Sequence, residues 1–216
     1  MKNFSLLSTN LPGYTKEEFS LMSTLVFEAN ALNWCRYDSP ARLAALACWP
    51  KNSNKNIVSF LEKLQSIKGE LVSFDFSMPN IAVVSSRLYD PDTDTGGFTN
   101  FTADEWFRVQ TYGKTRKGDN TFQKDWWFYA LLKTKATYSI INRKVVYGHD
   151  ISLEELQEAT QLTTTSIANY RDRLVQAGVL QFKRHVQSKS SYVFSTDPED
   201  LDLYLYHRSF ILSQGG

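Results

Sequence analysis

Thr164, Thr165, Ser166, Asn169 and Arg173 fall within ten residues of one another, and the apolar residues among and beside them, Ile167, Tyr170 and Leu174, recur at helical spacing. If those three face a core, helical geometry directs Thr164, Thr165, Asn169 and Arg173 outward, with Ser166 near the amino end. The chemistry this set offers is directional hydrogen bonding. An arginine can pair bidentately with guanine and an asparagine with adenine in a major groove, while serine and threonine donate to bases or phosphates. The amino end of the helix itself favours a phosphate. Downstream, Lys183, Arg184, His185 and Lys189 form a basic tip between strand-like runs at 179–183 and 192–195, placed to meet a nucleic-acid backbone or minor groove.

The elements needed to hold that helix are written around it. Ser152 followed by Glu155 is a capping box that opens a helix over 152–161, and Thr163-Thr164-Thr165 opens the next one, which runs to Gly178. Upstream, residues 125–142 read as a strongly aromatic helix through Trp126, Trp127, Phe128, Tyr129 and Tyr138. Its aromatic side chains are expected in a core or between modules, with a platform for stacked single-stranded bases as the functional alternative. Residues 112–122 read as a polar, basic loop. Residues 98–109 read as a short strand followed by a helix capped by Thr102 and Glu105.

The apolar framework of this half occurs twice. Leu43, Leu46, Ile57, Phe60 and Leu64 recur, 110 residues later and without a gap, as Leu153, Leu156, Ile167, Tyr170 and Leu174; Phe19, Leu21 and Met22 recur as Tyr129, Leu131 and Leu132. A domain-sized period predicts two copies of one module. In the first copy, Thr15 with Glu18 opens a helix ending near Trp34. Ser39-Pro40 starts a second helix that Pro50 stops, and Asn52-Ser53-Asn54 caps a third that ends at Gly69. Strands are expected at 71–76 and 81–88. Helix, short helix, turn, helix and hairpin is the order of a winged helix-turn-helix. The outward set of the first copy is Asn54, Lys55, Asn56, Ser59 and Lys63, with Asn52 and Ser53 before them.

The run ISLEELQEATQLTTTSIANYRDRLVQAGVLQFKR, residues 151–184, resembles the winged helix-turn-helix of many bacterial regulators and plasmid replication proteins, with Ser166, Ile167, Leu174, Gly178, Val179 and Leu180 in the characteristic places. The first copy is similar through Leu43, Leu46, Ile57, Leu64 and Gly69, and departs from the pattern at Pro50 and in the placing of its glycine. The expected fold class is therefore α+β, mainly α, with two winged helix-turn-helix modules arranged as an internal pseudo-dimer. The first spans 1–89, the second 98–216, and the proline- and glycine-containing stretch 90–97 links them. That linker alternates aspartates, but Thr95 and Phe101 stand where a calcium loop needs glycine and glutamate.

Composition narrows the function further. The chain has 216 residues, 42% hydrophobic and 14% aromatic, enough for two small cores. Its net charge of +1 argues against a bulk coat on nucleic acid. Basic residues nonetheless gather locally: 108–144 hold nine Lys or Arg against Asp119 and Asp125, and 163–191 hold five against Asp172. No apolar run approaches the roughly 20 residues that cross a bilayer, and no secretion signal opens the chain. Cys35 and Cys48, in helical-looking segments, read as reduced, buried thiols of a cytoplasmic protein. His149, His185 and His207 share no metal-binding spacing with them. Without a nucleophile elbow or a phosphate-cradling glycine loop, no enzyme and no cofactor is expected.

The resemblance implies a site-specific binder of double-stranded DNA acting as a single chain: a regulator or accessory factor of a bacterial mobile element, at an operator or a conjugative transfer origin. A plasmid or phage replication initiator that also engages other replication proteins is the near alternative. A non-enzymatic adaptor, docking through the aromatic segment at 126–129, is the alternative of another class.

Overall fold

The computed structural model describes residues 3–7, 15–28, 34–36, 39–48, 57–60, 62, 74–75, 81–84, 87–88, 98–115, 121–141, 144–184, 190–193 and 202–206. The class is α+β, with more of these residues in helices than in strands. The chain forms two compact units, Met1–Trp127 and Phe128–Gly216. The first unit extends to Trp127, past the expected linker 90–97, all of which lies outside the described residues. The reason is a strand pairing that local sequence does not announce. Strand β1 (Asn3–Leu7) lies between β5 (Arg87–Leu88), to which it is parallel, and β6 (Phe98–Thr102), with which it forms a five-residue antiparallel ladder from Asn3 opposite Thr102 to Leu7 opposite Phe98. Residues 98–102 are thereby joined to the first unit.

Helix α1 (Lys16–Glu28) is the core of the first unit. It opens on the expected capping box: Glu18 N–H donates to Thr15 Oγ1 at 3.1 Å and Thr15 N–H to Glu18 Oε2 at 2.9 Å. Every residue from Phe19 to Phe27 is buried, including Ser20, Ser23 and Thr24. A helix buried all round is tolerable only if its polar groups are satisfied internally. The hydroxyls of Ser23 and Thr24 donate to the carbonyls four residues back, each at 2.8 Å, and that of Ser20 donates to Ala47 O at 2.8 Å. The helix was expected to end near Trp34, but residues 34–36 form strand β2 (Trp34–Arg36). Helix α2 (Pro40–Leu46) begins as expected, with Ser39 as cap and Pro40 in its first position. Residues 57–60 and 62 are helical, and strands β3 (Phe74–Asp75) and β4 (Ile81–Val84) complete a sheet in the order β2-β4-β3.

Helix α3 (Ala103–Thr115), capped by Thr102 and Glu105, continues into the stretch expected to be a loop. Helix α4 (Phe122–Lys135) contains the unit boundary. Its Trp126 is fully buried in the first unit, stacked on Phe19 with ring centroids 6.1 Å apart and edge-on to Phe27 and Phe101. The indole N–H donates to Ser23 Oγ at 2.9 Å.

The expected long helix over 125–142 is broken after Lys135. Thr137–Ile141 is strand β7 and Lys144–Ile151 is strand β8, paired antiparallel from Ile141 opposite Lys144 to Thr137 opposite Gly148. Isoleucine, valine, threonine and tyrosine dominate both runs, and these are the side chains that pack best on a pleated surface. Helix α5 (Leu153–Thr160), helix α6 (Thr164–Gln176), strand β9 (Gln181–Arg184) and strand β10 (Ser190–Val193) follow, and the sheet order is β7-β8-β10-β9. A helical turn at 202–206 sets Tyr204 against β8, so closely that a side-chain carbon added at Gly148 would meet the phenol ring at 2.5 Å.

The two halves thus share an order of elements. Helix, strand, helix, helix, strand, strand occurs as α1, β2, α2, the helical residues 57–60 and 62, β3, β4 and, with the additional strand β7 between α4 and β8 set aside, again as α4, β8, α5, α6, β9, β10. In both, the first strand pairs with the last and the last with the middle one. Paired positions also share burial: Phe19 and Tyr129, Leu21 and Leu131, Met22 and Leu132, Ile57 and Ile167, and Phe60 and Tyr170 are all buried. Two pairs break the pattern: Leu43 is enclosed and Leu153 exposed, and Leu46 is half-buried where Leu156 is buried. The ladder register also changes: Ala82 faces Cys35, whereas its counterpart Tyr192 faces His149, further along the longer β8.

Replacing Trp126 with Phe removes the donor to Ser23 and part of the aromatic packing while keeping a ring in place. It should destabilise the first unit by about 1–3 kcal/mol, read as a lower midpoint in urea unfolding followed by circular dichroism. An unchanged midpoint would mean that the indole is not the anchor described.

Candidate nucleic-acid interface

The second half presents α6 on a locally built scaffold. Ser152 and Glu155 exchange the two hydrogen bonds of a capping box, at 2.7 and 3.1 Å, and start α5. At its end Gln161 adopts a left-handed conformation, φ 55°, its N–H reaching Gln157 O at 2.8 Å. The next helix begins two residues beyond, with Thr163 Oγ1 accepting from Ser166 N–H at 3.2 Å. Helix α6 ends in a Schellman turn. Gly178, at φ 71°, donates to Val175 O at 3.0 Å, and Val179 donates to Leu174 O at 3.2 Å. Glycine tolerates this positive φ at little cost. Phe128 packs edge-on against Tyr170, centroids 5.5 Å apart, and fixes the inner face of α6.

With Ile167, Tyr170 and Leu174 buried as expected, Thr164, Thr165 and Asn169 are exposed on the opposite side. Ser166 is half-buried and serves the cap, its hydroxyl within 3.0 Å of Thr163 Oγ1. Arg173 departs from expectation: it is only 7% exposed, with its guanidinium carbon 4.8 Å from the centre of the Tyr170 ring. Three residues after Tyr170, it lies on the flank of the buried stripe, and its aliphatic stem and planar head pack there. The outward place belongs instead to Asp172, which the sequence reading passed over; Thr165, Asn169 and Asp172 follow one another at four- and three-residue intervals, a signal available from periodicity alone. Asp172 holds Arg171 at 2.7 Å, and Arg171 in turn lies over the ring of Phe182 in β9, 4.4 Å from its centroid.

Where the wing was expected stands the antiparallel pair β9 and β10, with Ser190 opposite Arg184 and Val193 opposite Gln181. Lys183 is exposed and pairs with Asp202 at 3.1 Å, so its charge is partly neutralised by the helical turn that follows. Arg184 ends β9, and Lys189 lies outside the described residues. In the first half, Ser59 is exposed between buried Ile57 and Phe60; Asn54, Lys55, Asn56 and Lys63 lie outside the described residues.

Trp126, Phe128 and Tyr129 are buried completely, so these rings offer no surface for stacked bases. Cys35 and Cys48 are both buried and not joined in a disulfide, Cys35 in a strand and not in a helix. Among the described residues no cluster of three or more His, Cys, Asp or Glu is arranged to hold a metal ion, and no helix is long and apolar enough to cross a membrane. Compared with protein-family models, curated proteins and solved structures, the chain matches none.

The two roles on α6 separate by stability. Arg173→Ala should lower stability by about 1–3 kcal/mol through lost packing. Asn169→Ala should change it by no more than about 0.5 kcal/mol. Thermal melts of both variants decide the matter; an Arg173→Ala variant as stable as the parent would return that side chain to the surface.

Proposed function

We propose that this protein binds double-stranded DNA through tandem winged helix-turn-helix modules and has no catalytic role. The observation that carries the reading is the repeated order of helix, strand, helix, helix and two-stranded hairpin, with three strands paired in the same order in both halves and β7 added at the edge of the second sheet. In the second half that frame leaves the outer side of α6 polar and accessible at Thr164, Thr165 and Asn169. A helix of this kind fits the major groove, its amino-terminal residues against base edges. The wing, ending in Arg184 and continuing to Lys189, supplies backbone contacts. Thr164, Thr165, Asn169, Arg184 and Lys189 are the contact residues in the second module, and Asn54, Lys55, Asn56, Ser59 and Lys63 in the first. Lys183 contributes less, because Asp202 competes for it.

Two such modules in one chain act as a pseudo-dimer, reaching two successive grooves without a partner subunit and tolerating a site that is not palindromic. The biological role that follows from the sequence resemblance is regulation or assembly at an operator or transfer origin of a bacterial mobile element, in the cytoplasm. Replication initiation is the near alternative. The adaptor alternative required the 126–129 aromatics as a docking surface, and the burial of Trp126, Phe128 and Tyr129 speaks against it.

Fluorescence anisotropy with labelled duplexes of the source replicon tests this reading. The chain should bind as a single copy, and log affinity should fall linearly with log salt, by about 0.9 for each phosphate contact. No binding even at low ionic strength would overturn it.

A further inference from the structure

Both arginines of α6 are engaged elsewhere. Arg173 is buried against Tyr170, and Arg171 is held between Asp172 and the ring of Phe182. Arginine is the side chain best shaped to recognise guanine by its paired acceptors. The exposed stripe that remains, Thr165, Asn169 and Asp172, has a different preference. Asparagine matches the adjacent donor and acceptor of adenine, and a carboxylate accepts from an exocyclic amino group. The spacing suits a groove: three residues of α-helix advance about 4.5 Å, close to the roughly 3.4 Å between successive base pairs. Asn169 and Asp172 can therefore address neighbouring pairs.

The first half carries the same layout with one change. Ser59 and Glu62 stand 110 residues before Asn169 and Asp172, and both are exposed. The carboxylate position is kept while the amide is replaced by a hydroxyl too short for bidentate pairing.

Resting on the duplex-DNA reading above, we propose that Asn169 is the base-specifying residue of the second module. It reads an adenine, and Asp172 accepts from the amino group of an adenine or cytosine at the adjacent position. Guanine at the Asn169 position is rejected, because Asn169 is matched to adenine there and neither arginine of α6 is placed to take its acceptors. The first module, with Ser59 in the equivalent place, reads its half of the site less stringently, so the full site is asymmetric.

Selection from a randomised duplex pool with the full-length chain, at physiological salt with competitor DNA, tests this. The enriched site should contain one invariant adenine flanked by adenine or cytosine. Asn169→Ala should weaken binding to that site by about 5- to 150-fold and, on reselection, lose the invariant adenine while its melting temperature stays that of the parent. Asp172→Asn should relax only the adjacent position. A core built on guanine, or a fixed adenine that survives Asn169→Ala, would overturn the assignment and leave DNA binding intact. Failure to bind any member of the pool at low salt would instead remove the DNA reading itself, and this assignment with it.

Discussion

A helix can be presented across its neighbour only if the chain turns within a few residues while each terminal N–H and C=O still finds a partner, because an unmatched buried polar group costs more than the turn gains. In the second half, residues 160–163 meet this demand with their own atoms. Thr160 Oγ1 donates to Leu156 O at 2.6 Å and accepts from Leu162 N–H at 3.3 Å; Gln161 takes the left-handed conformation; Thr163 caps the next helix. The first half meets it with borrowed atoms. The carbonyls of Leu46 and Ala47, at the end of α2, accept from Gln110 Nε2 at 2.9 Å, Ser20 Oγ at 2.8 Å and Gln123 Nε2 at 3.4 Å, and Cys48 takes the left-handed conformation, φ 54°. The added helix α3 and the start of α4 therefore do for the first half what four consecutive residues do for the second.

This difference bears on what could be read in the sequence. Signals that act within one helical turn were legible: Thr15 with Glu18, Ser39 before Pro40, Thr102 with Glu105, Ser152 with Glu155, and Thr163 before α6 all cap the helices they were expected to open. These five helix starts were therefore correct, whereas α4 begins at Phe122 and not at 125, and the start expected at 52–54 lies outside the described residues. Signals that act between distant residues were not legible. Strand β1 finds β5 and β6 some eighty to a hundred residues away, and nothing in NFSLL names its partners. Strands β2 and β7 were absorbed into the preceding helices because short apolar runs rich in tryptophan or isoleucine fit either period. The pairing of β1 with β6 carries the first unit past 90–97, the stretch that composition marked as a linker and that lies outside the described residues.

The candidate site was legible in outline and wrong in one consequential detail. Apolar spacing located α6 and its inner face correctly, and Thr164, Thr165 and Asn169 are outward. Helical spacing was read as turning Arg173 outward, when its position three residues after Tyr170 placed it at the edge of the buried stripe. A long cationic side chain there gains more from laying its stem and guanidinium on an aromatic ring than from full hydration. The basic character expected of the face is reduced in the same way by the pairing of Arg171 with Asp172 and of Lys183 with Asp202. Exposed pairs of this kind add little to stability. Their effect here is on the field, since they remove positive charge that would attract any phosphate chain irrespective of sequence.

If the exposed side of α6 is the reading face proposed above, its near-neutral character on a chain of net charge +1 has a consequence for discrimination. Affinity for bulk DNA grows with every unpaired cation, whereas preference for one sequence grows with side chains whose hydrogen bonds fail on the wrong base. A carboxylate at the centre of the face penalises approach to phosphates and is repaid only where an amino group meets it. The two halves keep that carboxylate, as Glu62 and Asp172, and differ at the residue one helical turn before it, Ser59 against Asn169. On the proposed DNA reading, a repeated frame that keeps its discouragement of non-specific contact while varying the side chain directed at the base would recognise an asymmetric site with a single chain, which two identical subunits related by symmetry do not.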